Sequence, residues 1–311
     1  MTVCKKNIVV FGAKEDTITL LKYLQENICI PDLVITLDPS KTKDKYHISG
    51  VGDVFKYCKE NNIKVIGVGD YTLKSINLDD YSFDLGICYG WQRIIPQKVL
   101  DKFKIGIFGF HASPLGLPFG KGRSPLNWSI IEGRNKVFNH FFKYNSKPDD
   151  GLIYSVIKFE INAYDTIDSL NKKSIITAKQ QIKELIEDYL NPFININKKL
   201  KPQKKYIKET FYPKRTPKDG KIDLNQSTLE IYNLIRAVTK PFPGAFLFKG
   251  EEKILIWEAV PFDNILDFEE YKLGEIIDNI DKTPILRTSD SALLIKSYQS
   301  NLPLKKHDIL N

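Results

Sequence analysis

Residues 7 to 14 read Asn-Ile-Val-Val-Phe-Gly-Ala-Lys, a short β-rich run that ends at Gly12. In the stretch that follows, Ile18, Leu20, Leu21 and Leu24 recur at helical spacing. The chain therefore opens with a strand followed by a helix. No GxGxxG pattern follows the strand, so the fingerprint of a dinucleotide site is missing and we predict no NAD.

Further β-rich runs alternate with helix-like stretches as far as residue 190. Such alternation is typical of an α/β fold with a mostly parallel sheet and helices on both of its faces. The predicted strands are 32–37, 64–68, 83–89, 105–110, 137–144 and 152–161, and the predicted helices are 53–61, 96–103 and 169–190.

The last third of the chain predicts a different architecture. Ser227 and Glu230 form a capping-box pattern that starts a helix through Thr239, which Pro241 to Gly244 then stop. Short β-rich runs separated by turn residues follow, and they are typical of a small β-barrel or sandwich. The predicted strands are 245–248, 254–260, 275–277, 285–288 and 292–298.

A basic segment separates the two regions. Between Lys198 and Lys221 there are ten Lys or Arg residues against two acidic ones, with three prolines. Repelling charges and proline both resist packing in a core, which favours a linker or crossover. We therefore predict an N-terminal α/β domain over 1–195, a basic linker over 196–224, and a C-terminal helix plus small β (OB-like) domain over 225–311.

Composition limits the class of protein. The 311 residues are 42% hydrophobic and 27% charged, as in an ordinary globular protein of about two domains. The four cysteines form no CxxC pair, so no metal site is expected. No apolar run reaches the roughly 18 residues of a membrane span, and the N-terminal apolar run is too short for a signal peptide. A cytoplasmic protein without membrane contact is predicted.

The four histidines are His47, His111, His140 and His307. His111 follows the predicted strand 105–110 and starts a stretch rich in turn formers. Ligands of open α/β sheets bind beyond the carboxyl ends of strands, so a titratable group there is placed for catalysis. Asp149 lies on another loop at the sheet edge, and the two together suit base-orienter chemistry. The competing interpretation of His111 is a histidine that only hydrogen-bonds its loop, and that of Asp149 is an ordinary β-turn.

Residues Gly106 to Ile153 resemble the catalytic region of the folate-dependent formyltransferases. That family carries Asn-x-His-x-Ser, then Leu-Pro-x-x-Arg-Gly-x-x-Pro, and later Asp-x-Gly. Further along, the stretches 215–220, 231–238 and 241–246 resemble its linker and C-terminal domain, so the resemblance covers nearly the whole chain. The residues that fit the catalytic motifs are His111, Ser113, Leu117, Pro118, Gly122, Pro125, Asp149 and Gly151.

The resemblance implies a Rossmann-like formyltransferase domain and a smaller C-terminal β-barrel-like domain. Residues 122–128 (Gly-Arg-Ser-Pro-Leu-Asn-Trp) favour the nucleotide-sugar branch, including the type that acts on 4-amino-arabinose. The expected activity is transfer of the formyl group of 10-formyltetrahydrofolate to the amine of a UDP- or dTDP-linked amino sugar. Such a reaction would serve surface-glycan, O-antigen or lipopolysaccharide synthesis. It requires no metal, and dimers are common in the family.

Roles for individual residues follow from the resemblance. His111 would manage the proton of the attacking amine, and Asp149 would orient its imidazole. The expected folate contacts are Gly90, Trp91, Ile94, Ser113 and Asp150, and the expected sugar-nucleotide contacts are Lys121, Arg123, Asn127 and Arg215. The competing interpretation of Trp91 is an aromatic residue of the core. The competing interpretation of the basic side chains is a solvated surface.

One departure from the family pattern concerns chemistry. Gly109 stands where the family has the asparagine taken to hydrogen-bond the formyl oxygen, and Lys121 stands where arginine is usual. Loss of one oxyanion donor typically costs about 100- to 1,000-fold in rate. A backbone N–H, His111, a water, Asn127 or Asn139 would have to substitute, or the chain is a poor catalyst.

Two other functions compete. A methionyl-tRNA formyltransferase would use the basic segment as a track for the RNA backbone. Residues 201–311 carry 18 Lys plus Arg against 16 Asp plus Glu, a surplus of only two positive charges. This small surplus disfavours nucleic acid as the partner. The second alternative is a catalytically impaired binder of folate or sugar nucleotide, which Gly109 motivates.

Overall fold

A computed structural model describes residues 7–42, 52–74, 76–204 and 208–311, so His47 lies outside the described residues. The chain divides into two compact units. Unit 1 holds the described residues up to Gly122 together with Phe138–Phe159 and Lys173–Phe211, and unit 2 holds Arg123–Val137, Glu160–Lys172 and Tyr212–Asn311. The predicted domain limits at 195 and 224 stay predictions.

The elements before residue 200 alternate as the sequence predicts. In chain order they are β1 Ile8–Phe11, α1 Glu15–Asn27, β2 Leu33–Leu37, α2 Val54–Glu60, β3 Val65–Val68, β4 Phe83–Cys88, α3 Gln97–Leu100, β5 Phe103–Ser113, β6 Lys121–Gly122, α4 Pro125–Ile131, β7 Lys136–Lys143, β8 Leu152–Glu160, α5 Ile167–Leu190 and α6 Ile196–Lys199.

A seven-stranded sheet organises unit 1, in the order β3-β2-β1-β4-β5-β7-β8. The first five strands of this order run parallel, and β7 pairs antiparallel with β5. Ile8 and Val10 of β1 face a core that includes α1, α2 and α5, whereas Val9 and Phe11 face a second core that includes α3. Helices therefore cover both faces, and the predicted Rossmann-like, mostly parallel sheet is confirmed.

Chain order reverses between β1 and β4, the place where open α/β sheets usually bind ligands. Here that turn is filled by protein. A Cβ on Gly12 would lie 2.2 Å from the Tyr89 carbonyl oxygen and 2.3 Å from Thr17 Oγ1. Thr17 Oγ1 also donates to the Tyr89 carbonyl at 2.8 Å. Glycine is thus needed for close packing at this turn, consistent with the missing dinucleotide fingerprint.

Two predicted boundaries were wrong. The helix expected over 96–103 is the single turn α3, and β5 begins at Phe103 and continues through Ser113, three residues past the predicted end. Antiparallel β7 supplies hydrogen-bond partners for this extension, pairing Ser113 with Phe138. The extra length has a functional consequence, because it places His111 inside a strand rather than on the loop after it.

The chain after residue 200 holds β9 Phe211–Tyr212, a 3₁₀ turn Pro217–Gly220, α7 Thr228–Val238, β10 Ala245–Lys249, β11 Glu252–Asp263, β12 Ile276–Ile280, β13 Thr283–Arg287 and β14 Ala292–Gln299. The Ser227 capping box is present, with the Ser227 N–H donating to Glu230 at 2.9 Å. Strands β10 to β14 form one antiparallel sheet in the order β10-β11-β14-β13-β12. The separate C-terminal β domain is confirmed.

Arg236 of α7 is a buried structural cation of unit 2. It is 8% exposed, and its guanidinium donates to the carbonyl oxygens of Asn162 at 3.1 Å and Asp165 at 2.7 Å. It also donates to Asn233 Oδ1 at 2.8 Å. These bonds tie the segment that precedes α5 to α7.

We expect Arg236→Met to lower the free energy of unfolding by about 3 kcal/mol, because it removes the guanidinium donors to the buried Asp165 carbonyl and to Asn233 Oδ1. Urea titration measures the change. The matched control is Arg134→Met, whose side chain is 41% exposed and pairs with Glu132, and which should cost less than about 1 kcal/mol. Equal losses in the two variants would contradict the structural role of Arg236.

Candidate active site

The site begins where β5 outruns its parallel neighbour. The last residue of β4, Cys88, pairs with Gly109, so residues 110 to 113 extend beyond the carboxyl end of β4. In this extension His111 pairs with His140 of β7. The imidazole of His111 thus stands past a strand end of the parallel sheet, on a rigid strand that fixes its backbone.

Both nitrogens of the His111 ring face an acceptor. Nδ1 lies 3.3 Å from Asp149 Oδ1, and Nε2 lies 2.7 Å from the Gly120 carbonyl oxygen. The side chain is only 6% exposed. A ring protonated on both nitrogens satisfies both acceptors, whereas either neutral tautomer leaves a lone pair against an oxygen. The ring therefore bridges the Asp149 carboxylate and the Gly120 carbonyl.

The surroundings of Asp149 keep it ionised. Burial is the largest single influence and raises the pKa of this carboxyl, whereas the hydrogen bond and the charge of His111 lower it. The Gly122 N–H, 3.0 Å from Asp149 Oδ2, and the charge of Lys121 act in the same direction. Together they hold the pKa of Asp149 below its ordinary value, so a negative charge faces His111 at neutral pH.

The loop that carries Asp149 explains the Asp-x-Gly spacing. Asp149 has a φ of +52°, a left-handed conformation that aspartate tolerates better than most residues. A Cβ on Gly151 would lie 1.6 Å from the Lys143 carbonyl oxygen, so glycine is required at that position. Gln203 Nε2 then donates to the carbonyls of Asp149 at 2.9 Å and Gly151 at 3.1 Å.

The loop between β5 and β6 is fastened over the histidine. Ser113 Oγ donates to the Phe119 carbonyl at 2.6 Å, and the Gly120 N–H donates to Thr210 Oγ1 at 2.8 Å. Ser113 is fully buried. The turn formers of this stretch thus build a closed loop whose Gly120 carbonyl meets His111.

His140 lies beside His111 as its neutral partner. Its Nε2 accepts the Leu117 N–H at 3.2 Å, and its Nδ1 lies 3.3 Å from the His111 carbonyl oxygen, which fits a proton on Nδ1. Burial, with the charge of His111, lowers the pKa of His140 to about 4. The sequence offered no signal for this role, because it depends on cross-strand pairing.

Gly109 and Tyr144 share one space. A Cβ built on Gly109 would lie 2.1 Å from the hydroxyl oxygen of Tyr144 and 2.3 Å from its Cζ. The two asparagines considered as substitute donors are already paired, because Asn139 donates to Thr177 at 2.8 Å and Asn127 donates to the Ala237 carbonyl at 2.7 Å. Tyr144 is a site residue that sequence reasoning missed.

Lys121 is buried in an ion cluster. Its side chain is 1% exposed, and Nζ lies 2.9 Å from Glu209 Oε1 and 3.3 Å from Asp150 Oδ1. Two of the predicted site residues, Lys121 and Asp150, are therefore brought together by their opposite charges. Glu209 was not predicted, since 88 residues separate it from Lys121 along the chain.

The predicted folate residues follow β4. Gly90 has a φ of +81°, and its carbonyl accepts the Ala13 N–H at 3.3 Å. Trp91 packs edge-on against Phe11 and Tyr71, with its buried Nε1 lacking a hydrogen-bond partner among the described residues. Ile94 is 53% exposed. An exposed apolar side chain and an unpaired ring N–H within one short segment suit a flat heteroaromatic group with polar edges.

The remaining predicted residues belong to unit 2. Arg215 lies over the Trp128 ring, 5.0 Å from its centroid, and Trp128 also stacks on Tyr212. Nη2 of Arg215 donates to the Asp219 carbonyl at 2.5 Å. Arg123 is exposed, and its N–H donates to the Tyr212 carbonyl at 3.1 Å.

Across 7–42, 52–74, 76–204 and 208–311, His, Cys, Asp and Glu form no group of three that could hold a metal ion. Within the same ranges, no helix has both the length and the apolar character that a membrane crossing demands.

A buried histidine–carboxylate pair on a strand extension of a Rossmann-like sheet suits a group-transfer enzyme. Comparison with known families agrees. The family model described as "Formyl transferase" matches residues 6–187, and the model described as "Formyl transferase, C-terminal domain" matches residues 214–311. The chain belongs to the formyl transferase family, a family of transferases.

A curated relative supports the same family. The chain is 33% identical over 229 residues to the bifunctional polymyxin resistance protein ArnA of Wigglesworthia glossinidia brevipalpis. The match covers 73% of this chain and 33% of that protein, so the chain spans about a third of the length of this relative.

Solved structures share the fold. One is WlaRD, a sugar 3N-formyltransferase in the presence of dTDP and 5-N-formyl-THF, with 19% identity and a TM-score of 0.63 over 97% of this chain and 100% of that one. Another is an N-formyltransferase from Helicobacter canadensis with folinic acid and dTDP-3-aminofucose, with 19% identity and a TM-score of 0.63 over 94% and 100%. The methionyl-tRNA formyltransferase from Clostridium thermocellum has 22% identity and a TM-score of 0.55 over 84% and 95%.

Burial of neutral His140 predicts a pH-dependent stability. Because its pKa falls from 6.5 when unfolded to about 4 when folded, its stabilising effect is complete above pH 6.5 and is lost as pH falls toward 4. From near pH 7.5 to near pH 5, this residue should remove about 2 kcal/mol of unfolding free energy.

Urea titrations of wild type and His140→Gln at the two pH values measure that contribution. The variant should lose less stability on acidification than the wild type. His307→Gln is the control, because the His307 side chain is 65% exposed, and it should keep the wild-type dependence. The assignment of a neutral ring fails if His140→Gln and the wild type respond alike.

Proposed function

We propose that the chain is a cytoplasmic nucleotide-sugar N-formyltransferase. It would move the formyl group of 10-formyltetrahydrofolate to the primary amine of a UDP- or dTDP-linked amino sugar, without a metal. The product would serve surface-glycan, O-antigen or lipopolysaccharide synthesis. The observation that carries the proposal is the buried His111–Asp149 pair at 3.3 Å.

The chemistry of amide formation fits that pair. The amine attacks through its neutral nitrogen, and the tetrahedral intermediate carries a negative oxygen beside a cationic nitrogen. His111, in its charged form, stabilises the negative oxygen, and in its neutral form it accepts the proton of the nitrogen. Asp149 orients the ring and favours its charged form. Proton transfer requires Nε2 to exchange its bond with the Gly120 carbonyl for one with the substrate.

The donor and the acceptor are assigned to different residues. Gly90, Trp91 and Ile94 would contact the folate, with Ser113 fastening the loop and Asp150 holding Lys121. Arg123 and Arg215 would meet the diphosphate of the acceptor, since guanidinium groups suit phosphate oxygens. Lys121 and Asn127 complete the proposed acceptor set, but Lys121 acts through its charge because its Nζ is already paired with Asp150 and Glu209.

Charge distribution disfavours the tRNA alternative. Residues 222–311 hold 10 Lys plus Arg against 14 Asp plus Glu, so the C-terminal β domain carries net negative charge. Proteins that grip RNA backbones need an excess of cations. Formylation of methionyl-tRNA by the wild type, without formylation of any amino sugar nucleotide, would reverse this preference.

The direct test incubates the protein with 10-formyltetrahydrofolate and a panel of UDP- and dTDP-linked 3-amino and 4-amino sugars. Mass spectrometry detects the gain of a formyl group on the acceptor, and absorbance follows release of tetrahydrofolate. We expect product from at least one acceptor. Binding of folate or nucleotide sugar without product from any of them would favour the impaired binder instead.

Two variants test the assigned roles. His111→Ala and Asp149→Asn should each lower kcat by about 100-fold or more, because one removes the proton-handling group and the other its charged partner. His307→Ala is the matched control and should turn over as the wild type does, since His307 lies in the C-terminal sheet domain. Circular dichroism confirms folding. Wild-type rates in either site variant would remove that role.

A further inference from the structure

The register of β5 and β7 gathers five positions on one face of the sheet. Gly109 pairs with Phe142, and His111 pairs with His140. Tyr144 follows β7 by one residue, and its N–H donates to the Ile107 carbonyl at 2.7 Å. Because side chains alternate along a strand, positions 109 and 111 share a face with 140, 142 and 144. The Tyr144 phenol and the His111 imidazole therefore point to the same side.

Across the strands, Tyr144 is the diagonal neighbour of Gly109, a distance that an aromatic side chain can span. The built Cβ of Gly109 falls 2.1 Å from Tyr144 Oη, 2.3 Å from Cζ and 2.6 Å from Cε1. Such contacts are far too short for real atoms, so the phenol fills the space in which a side chain at 109 would start. That space lies one two-residue step, roughly 6.6 Å, from the Cβ of His111.

The hydroxyl at this place is a protonated donor. The buried thiol of Cys88, the cross-strand partner of Gly109, lies near it. Burial, with the nearby Cys88 and Asp149, raises the pKa of Tyr144 well above its ordinary value, so the O–H proton is retained at neutral pH. A thiol is a weak hydrogen-bond acceptor, whereas an oxyanion is a strong one. The Tyr144 O–H would therefore donate its hydrogen bond to an oxyanion in preference to the thiol.

We propose that the Tyr144 hydroxyl is the catalytic hydrogen-bond donor that stabilises the oxyanion of formyl transfer, and that Gly109 is glycine because this phenol occupies its side-chain space. The inference rests on the proposed function. It assigns to Tyr144 the part that the asparagine of the family pattern cannot play in this chain.

The proposed step is balanced. The amine nitrogen of the acceptor forms a bond to the formyl carbon, and the π electrons of the carbonyl move onto its oxygen. Tyr144 donates a hydrogen bond to that oxygen without giving up its proton. When the carbonyl forms again, the bond from the formyl carbon to the folate nitrogen breaks, and that nitrogen takes up the proton which the amine has lost.

The first test is Tyr144→Phe, which keeps the ring and removes the hydroxyl. We expect kcat to fall by about 100- to 1,000-fold with little change in the KM of the amino-sugar acceptor, as for loss of one oxyanion donor. Tyr154→Phe is the matched control, because its hydroxyl pairs with Asp188 and its ring packs in the core on the other face of the sheet. It should keep the wild-type kcat. A kcat of Tyr144→Phe within twofold of wild type would overturn the proposal.

The second test exchanges the two residues. Gly109→Asn alone should be destabilised, because its Cβ meets the phenol. Gly109→Asn combined with Tyr144→Ala frees the space and supplies an amide donor, and its kcat should exceed that of Tyr144→Ala by about 10-fold or more. Circular dichroism and thermal melting confirm that both variants fold. If the double variant folds and its kcat does not exceed that of Tyr144→Ala, the proposal that the oxyanion donor lies in this space is overturned.

A binding measurement separates this proposal from the proposed function. Without any acceptor, Tyr144→Phe should weaken binding of 10-formyltetrahydrofolate by about fivefold relative to tetrahydrofolate, the worth of one neutral hydrogen bond. If wild type forms no formylated sugar, the proposed function fails, yet this ratio still decides the role of Tyr144. An unchanged ratio overturns that role, and a wild type that binds no 10-formyltetrahydrofolate overturns both.

Discussion

The buried charge pair between His111 and Asp149 constrains everything around it. A ring that is 6% exposed and faces an acceptor on each side is held in place by two fixed acceptors. One is a carboxylate held by the Gly122 N–H, and the other is a backbone carbonyl of a fastened loop. His140 lies beside this pair, and its lowered pKa keeps it neutral. Two adjacent imidazolium rings would repel each other.

Backbone conformations at the site follow from the same pair. Asp149 reaches Nδ1 from a left-handed backbone conformation, and the return of the chain brings Gly151 against the Lys143 carbonyl with no room for a side chain. Gln203 closes the loop from a distant part of the sequence. The family motif Asp-x-Gly is therefore explained by geometry, because the aspartate supplies charge and the glycine permits the close approach.

Much of the fold could be predicted from the sequence. Apolar periodicity located the strands and the long helix α5, and the Ser227 capping box located the start of α7. These signals are local, since each depends on residues within one or two turns. The end of β5 was misplaced by three residues, because His-Ala-Ser carries no β-rich signal and is ordered by pairing with β7. The helix α3 was predicted too long because Phe103 belongs to β5, where it pairs with Phe83 of β4.

By itself the sequence determined the order of the elements, the family motifs and the two residues, His111 and Asp149, that the site brings together. Only the tertiary structure decided what surrounds them: the Gly120 carbonyl on the imidazole, Glu209 on Lys121, and the Tyr144 phenol in the space of Gly109. The physical reason is that these contacts join residues far apart in the chain or diagonal across strands. Their existence depends on register and loop closure, which no local pattern of residues encodes.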